Sequence, residues 1–140
     1  MSDAATNPPD STFVPRPLPT WDPSPDQVVA YEGIVSWWNE GEPKTQAVSF
    51  GGPGGSGKTH TLARIANTIL NVENPPRVAF ITLTGRASLV LREALEKADV
   101  SGYSHCGTIH SVLYRPQVET DTGRVLGWVK ATELPFDLLV

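Results

Sequence analysis

The sequence predicts an α/β fold in which a parallel β-sheet is flanked by helices. Apolar segments of strand length alternate with segments in which apolar residues recur every three or four positions, as in βαβ units. A glycine-rich turn stands between the first of these strands and the helix that follows it. A small β-hairpin near the C-terminus is the one element that departs from the alternation.

Composition restricts the protein to a few classes. The chain has 140 residues, which suits a single domain, and a hydrophobic share of 39%, which is enough for a packed core. Its single cysteine excludes an internal disulfide and favours a reducing compartment such as the cytoplasm. We find neither a secretory leader nor an apolar run long enough to cross a bilayer, so no membrane partner is expected.

The chain is expected to begin with a tail and a capped helix. Residues 1–23 hold six of the 13 prolines among small polar residues, so we expect a disordered, extended tail. A helix should begin after Ser24, with Pro25 at its first position and Asp26 at the positive end of its dipole. Its apolar stripe is Val28, Tyr31, Val35 and Trp38, and it should end at Gly41 and Pro43.

The remaining elements follow from periodicity and turn residues. Strands are predicted over 46–50, 77–83 and 136–140, and helices over 60–72, 86–98 and 108–114. The second helix should bury Leu62, Ile65, Ala66 and Ile69, and the third Leu89, Val90, Leu91, Ala94 and Leu95. Strands over 118–120 and 125–129 flank the turn sequence DTGR, so we expect a hairpin insertion within 116–130.

The strongest motif is GPGGSGKT at 52–59, which matches G-x-x-x-x-G-K-[ST] at every fixed position. Such a loop wraps a pyrophosphate with its N–H groups, and its four glycines avoid side chains that would obstruct this. Lys58 would reach the β- and γ-phosphates, and the Thr59 hydroxyl would coordinate Mg²⁺, so both are the candidate catalytic residues. The motif predicts an ATP site made of Gly52, Pro53, Gly54, Gly55, Ser56, Gly57, Lys58, Thr59 and the adjoining His60.

Gln27 is a second candidate nucleotide contact. Its side-chain amide offers a donor and an acceptor together, as the edge of an adenine requires. The alternative is that this glutamine, in the first turn of a helix, is simply solvated.

Four motifs in order are SPDQ at 24–27, FGGPGGSGKT at 50–59, ITLTGRA at 81–87 and GTIHSVL at 107–113. Together they resemble the glutamine motif, the first helicase motif, the TGRA element and the TIH element of RecD-like and Dda-like DNA helicases. These belong to the 5′-to-3′ branch of superfamily 1. The resemblance covers roughly residues 24–140 and is closest to small phage helicases.

This resemblance implies a RecA-like domain that couples ATP hydrolysis to translocation on single-stranded DNA and to duplex unwinding. It implies that Gln27 reads adenine, and that Thr84, Arg86, Thr108 and His110 lie along the DNA. Thr84 with Arg86, and Thr108 with His110, each stand at a predicted helix N-terminus, where N–H groups and hydroxyls bind phosphate. Residues 76–115 carry five basic and three acidic side chains, the sign that a DNA backbone needs. The implied location is the cytoplasm of a bacterium or a phage-infected cell.

Two departures from the family pattern bear on activity. Leu83 stands where proline is usual, and Val140 ends the sequence where an acidic pair would follow. We therefore expect residues 24–140 to be the N-terminal part of a RecA-like domain, without a second RecA-like domain. We expect neither helicase-like ATP turnover nor unwinding from these residues alone, and a second chain or a downstream segment would complete the enzyme.

Alternatives remain open at this point. Another P-loop ATPase, a kinase, or a nucleotide-binding remnant without catalysis would share the same loop. The hairpin falls where the family inserts a duplex-splitting pin, with Leu126 and Trp128 as candidate tip residues, but an ordinary surface hairpin fits equally well. His105, Cys106 and His110 lie close together in the sequence, but a structural zinc site needs four ligands and there is no second cysteine, so we do not expect one. Cys106 with His110 could also suggest a thiol nucleophile, but the TIH element explains His110 better.

Overall fold

The structure is a computed structural model that describes residues 14–15, 17–40 and 47–140. Within these ranges, four helices accompany a three-stranded parallel sheet, and a two-stranded antiparallel hairpin forms a second sheet. The predicted α/β class, with a parallel sheet flanked by helices, is confirmed. None of the helices in the described residues has the length and apolar character that crossing a membrane requires.

Helix α1 (Pro25–Asn39) begins where the sequence predicts. Ser24 and Gln27 form a capping box: the Ser24 hydroxyl accepts from the Gln27 N–H, and Gln27 Oε1 accepts from the Ser24 N–H at 2.9 Å. Three members of its predicted stripe pack against the core, namely Tyr31, Val35 and Trp38. The predicted end at Gly41 and Pro43 lies outside the described residues.

Helix α2 (Lys58–Leu70) begins two residues before its predicted start. It contributes Ile65, Ala66 and Ile69 to the core as predicted, while Leu62 is only partly buried. The early start matters for the site, because the last residues of the glycine-rich motif belong to the first helical turn.

Helix α3 (Gly85–Lys97) is capped by the Thr84 hydroxyl, which accepts from the Ala87 N–H at 3.2 Å. Leu95 is fully buried, but Leu89 and Val90 are 59% and 58% exposed, so their predicted place on the apolar face is wrong. A helix that packs on one side of a sheet buries only the row of side chains that faces the sheet. Leu89 and Val90 lie outside that row on α3.

The parallel sheet has β1 (Val78–Thr82) at its centre. On one side β2 (His105–Thr108) pairs with it, and on the other side β5 (Leu138–Leu139) does. The first three residues of β1 are buried, and Phe80 packs edge-on against the Tyr103 ring at 5.5 Å. The predictions over 77–83 and 136–140 thus identify real strands, although β5 is shorter than predicted.

The predicted first strand is not present. Residues 47–50 form no strand, so the prediction over 46–50 is wrong for them, and residue 46 lies outside the described part of the chain. A strand needs a neighbouring strand to pair with, whereas residues 47–50 and residues 137–140 both line a cavity of about 1240 Å³. The third strand is instead β2, which the sequence did not indicate because HCGT contains one core residue, Cys106, and no apolar run.

The hairpin consists of β3 (Tyr114–Val118) and β4 (Val125–Lys130), which follow the short helix α4 (Ile109–Leu113). Its first strand therefore begins four residues before the predicted 118–120. Leu126 and Trp128 lie within β4, where Trp128 faces Pro116 across the ribbon. The turn itself is polar, since residues 119–124 read ETDTGR. The prediction that Leu126 and Trp128 form the tip is therefore wrong.

An ion pair joins the starts of β1 and β5. Asp137 accepts from the Arg77 guanidinium at 2.8 and 3.2 Å and from the Arg77 backbone N–H at 2.8 Å. These hydrogen bonds, with the guanidinium first, lower the pKa of Asp137 from its ordinary 3.8 to about 2.

We expect this ion pair to make the free energy of unfolding fall at low pH. A carboxyl whose pKa is lowered by folding stabilises the fold above pH 3.8, and this contribution is lost as the pH falls through about 2. Both side chains are well exposed, so the effect should be small and weakened by salt. Urea midpoints measured between pH 5 and pH 2 should fall more for the wild type than for Asp137→Asn. Parallel pH profiles for the two proteins would contradict this assignment.

Candidate nucleotide and nucleic-acid sites

The glycine-rich motif forms a tight turn that leads directly into α2. Gly55 and Gly57 have φ angles of +76° and +80°, a conformation that glycine adopts without strain. The Ser56 N–H closes the turn on the Pro53 carbonyl at 3.3 Å. Gly57 is the N-cap of α2 and provides no side-chain cap, so the first helical amides remain available to an anion.

Lys58 is the first residue of α2, and its side chain turns back into the loop. Its Nζ donates to the carbonyl oxygens of Gly52 and Pro53 at 2.8 and 2.7 Å. The ammonium group therefore lies against the concave side of the turn. Thr59 and His60 follow in the same helical turn, and both are exposed.

Gln27 meets this loop from α1. Its Nε2 donates to the Ser56 carbonyl at 3.1 Å, across 29 residues of sequence. A Cβ on Gly57 would lie 2.3 Å from the same Nε2 and would displace the Gln27 amide, so glycine at this position permits the bond to Ser56 as well as the positive φ angle. The sequence pointed to Gln27 as an adenine contact, but nothing in it indicated this bond to the loop backbone.

The residues expected along DNA form a second group at the carboxyl ends of β1 and β2. Thr82 and Thr108 are register partners, so the segments that follow these strands leave the same edge of the sheet. The Thr84 and Thr108 hydroxyls cap α3 and α4 by accepting from backbone N–H groups. Each hydroxyl keeps its own proton for donation to another acceptor.

Arg86 and His110 project from the same two helix starts, and both are exposed. The His110 ring stacks on Tyr114 with 5.9 Å between centroids and 25° between planes. The sequence did not single out Tyr114, and only its position one helical turn after His110 could have suggested the contact.

His105 and Ser111 form a further pair that the sequence did not indicate. Ser111 Oγ lies 2.6 Å from the Thr108 carbonyl, to which it donates, and 3.0 Å from His105 Nε2. The hydroxyl proton is thus already engaged, so this pair is a brace for α4 rather than an activated nucleophile. Cys106 is buried, with 7% of its surface exposed, so a role as an accessible thiol nucleophile is not supported.

The loop fits a nucleoside triphosphate with Mg²⁺. It provides an ammonium group, uncapped helical N–H groups and a turn so tight that a Cβ at Gly52 or Gly57 would lie 2.8 Å from Ser56 Oγ or 2.3 Å from Gln27 Nε2. Thr59 offers a hydroxyl ligand for the metal ion. Over the ranges that the structure describes, no three His, Cys, Asp or Glu side chains converge as a metal site.

Comparison with known proteins agrees with this geometry. A family model described as an AAA domain matches residues 40–136. This range includes the glycine-rich motif and the four residues expected along DNA, and it begins after Gln27. No curated protein and no solved structure matches the chain.

Proposed function

Since the chain belongs to the AAA domain family of P-loop ATPases, we propose that it binds Mg-ATP at residues 52–60 and single-stranded DNA beside β1 and β2. In this proposal it is the nucleotide-binding part of an ATP-dependent DNA helicase. One observation carries the ATP site: Lys58 Nζ lies within the loop, against two carbonyl oxygens at the start of α2.

The residues of the ATP site have distinct tasks in this proposal. Lys58 supplies positive charge to the phosphates, and the first amides of α2 supply hydrogen bonds aligned with the helix dipole. Thr59 supplies one metal ligand, and Gln27 holds the loop through Ser56. When bound, ATP supplies the phosphoanhydride whose hydrolysis drives movement along DNA.

The second group suits a phosphate backbone better than base edges. It combines two threonine hydroxyls, one guanidinium and one imidazole at neighbouring helix starts, and these groups recognise phosphate oxygens. The exposed Tyr114 next to His110 adds an aromatic surface on which a base can stack. Such contacts bind single strands with little preference for sequence.

The test combines a fluorescent ATP analogue, oligothymidine and phosphate release. ATP turnover that rises with single-stranded DNA supports the helicase assignment. Phosphorylation of a small acceptor without DNA indicates a kinase, and nucleotide binding that DNA does not affect indicates another class of P-loop protein.

Arg86→Ala and His110→Ala should weaken oligothymidine binding without changing its low sequence preference. Loss of Arg86 should also reduce the slope of log affinity against log salt by about 0.7, because one phosphate contact is removed from a single strand. Fluorescence anisotropy between low and moderate salt measures both quantities. Lys97→Ala is the control, since it removes the same charge from the last turn of α3. DNA affinity and salt slope that match the control would assign Arg86 and His110 a structural role.

A further inference from the structure

The segment before α1 is attached to α2 through one arginine. The Arg64 guanidinium donates to the Pro19 carbonyl oxygen and lies 5.6 Å from the centre of the Trp21 ring. Arg64 is in the middle of α2, so Pro19 and Trp21 lie against this helix. The tail expected over 1–23 is otherwise outside the described residues, apart from residues 14–15.

The contact continues from this segment into α1. The Trp21 ring meets Tyr31 edge-on, with 5.2 Å between centroids. The Tyr31 hydroxyl lies 2.9 Å from Thr68 Oγ1, which is one turn beyond Arg64 on α2. We call Trp21, Tyr31, Arg64 and Thr68 the strap cluster, because it fastens the segment 17–23, α1 and α2 to one another.

Helix α1 depends on such contacts for its position. None of its residues is fully buried, and it packs against the core only through partly buried side chains. Gln27 lies one turn before Tyr31, so the two side chains project from the same side of α1. A displacement of α1 at Tyr31 would therefore move the Gln27 amide away from the Ser56 carbonyl.

We propose that Trp21 and Arg64 are positioning residues for nucleotide binding, which act by holding α1 so that Gln27 braces the glycine-rich loop. This inference rests on the proposed ATP site. Neither residue is among the contacts of the loop; each acts through Tyr31 and Gln27. The Trp21–Arg64 contact is a cation–π pair, and an aromatic ring is what it requires, so phenylalanine should replace tryptophan with little loss.

The decisive experiment is a double-mutant cycle read by affinity for a fluorescent ATP analogue. Trp21→Ala should weaken binding about fivefold in the wild-type background and leave it unchanged in the Gln27→Ala background, because the effect passes through Gln27. Trp21→Phe should restore most of the affinity. The same fivefold loss in both backgrounds would overturn the proposal, as would no loss in either. Trp128→Ala, at an exposed tryptophan of the hairpin, is the control and should change nothing.

A second measurement does not depend on ATP. Hydrogen exchange of peptides that cover residues 52–61 should be faster in Trp21→Ala and Arg64→Ala than in the wild type, since a loop without its brace opens more often. Unchanged exchange would overturn the role of the strap cluster even if ATP binds. Faster exchange in a protein that does not bind ATP would support the strap cluster and reject the proposed function.

Discussion

Lys58→Ala is expected to lower affinity for ATP about 100-fold. Charge-assisted hydrogen bonds contribute about 1.5–3 kcal/mol each, and the lysine ammonium is the one cationic group that the described loop holds at its concave side. The fold should survive, because Lys58 is at the first position of α2 and its side chain is only partly buried. Titration with a fluorescent ATP analogue measures the change.

The control for this result is Lys130→Ala. It removes an equal charge from β4 of the hairpin, which is a separate sheet. Circular dichroism of both variants checks that the fold is retained. Equal affinity of Lys58→Ala and wild type would reject the ATP site, whatever the result of the DNA experiments.

Phe80→Ala should lower the free energy of unfolding by about 3–5 kcal/mol. Phe80 is fully buried in the middle of β1, and its ring packs on Tyr103, so its removal leaves a cavity and a lost aromatic contact. Domains are stable by only about 5–15 kcal/mol in total, so this single change should bring the protein close to unfolding at room temperature. Urea unfolding followed by tryptophan fluorescence measures the loss.

Leu83→Ala is the matched control for Phe80→Ala. Leu83 follows the same strand and has a similar apolar volume, but 81% of it is exposed, so we expect a change within about 0.5 kcal/mol. A small effect at Phe80 would mean that the ring is not the centre of the core.

The sequence predicted those features that depend on local chemistry. The glycine-rich loop, the start of α1 after Ser24 and, to within one residue, the start of α3 each follow from residues a few positions apart, and the structure has them where they were expected. The long apolar run at β1 was equally clear, because a central parallel strand is covered on both faces.

Features that depend on distant partners were not predictable. Residues 47–50 have the composition of a strand but no neighbouring strand among the described residues, whereas β2 has a polar composition and becomes a strand because β1 lies beside it. The bond from Gln27 to Ser56 joins residues 29 positions apart, and no local pattern could indicate it. The strap cluster could not be predicted either, because its contacts join residues far apart in the sequence and the composition of residues 1–23 indicated only a tail.

The central position of β1 has a consequence for synthesis on the ribosome. Its partner β2 follows within the next 30 residues, but β5 joins through residues 60 positions beyond the start of β1. Until the ribosome has synthesised β5, one backbone edge of β1 is unpaired and lies beside apolar side chains. An unpaired edge of this kind favours mispairing with other nascent chains. Closing so long a loop is also slow. We therefore expect β5 to join last, and the yield of native chain to rise when chaperones bind the nascent chain before residues 138–140 emerge.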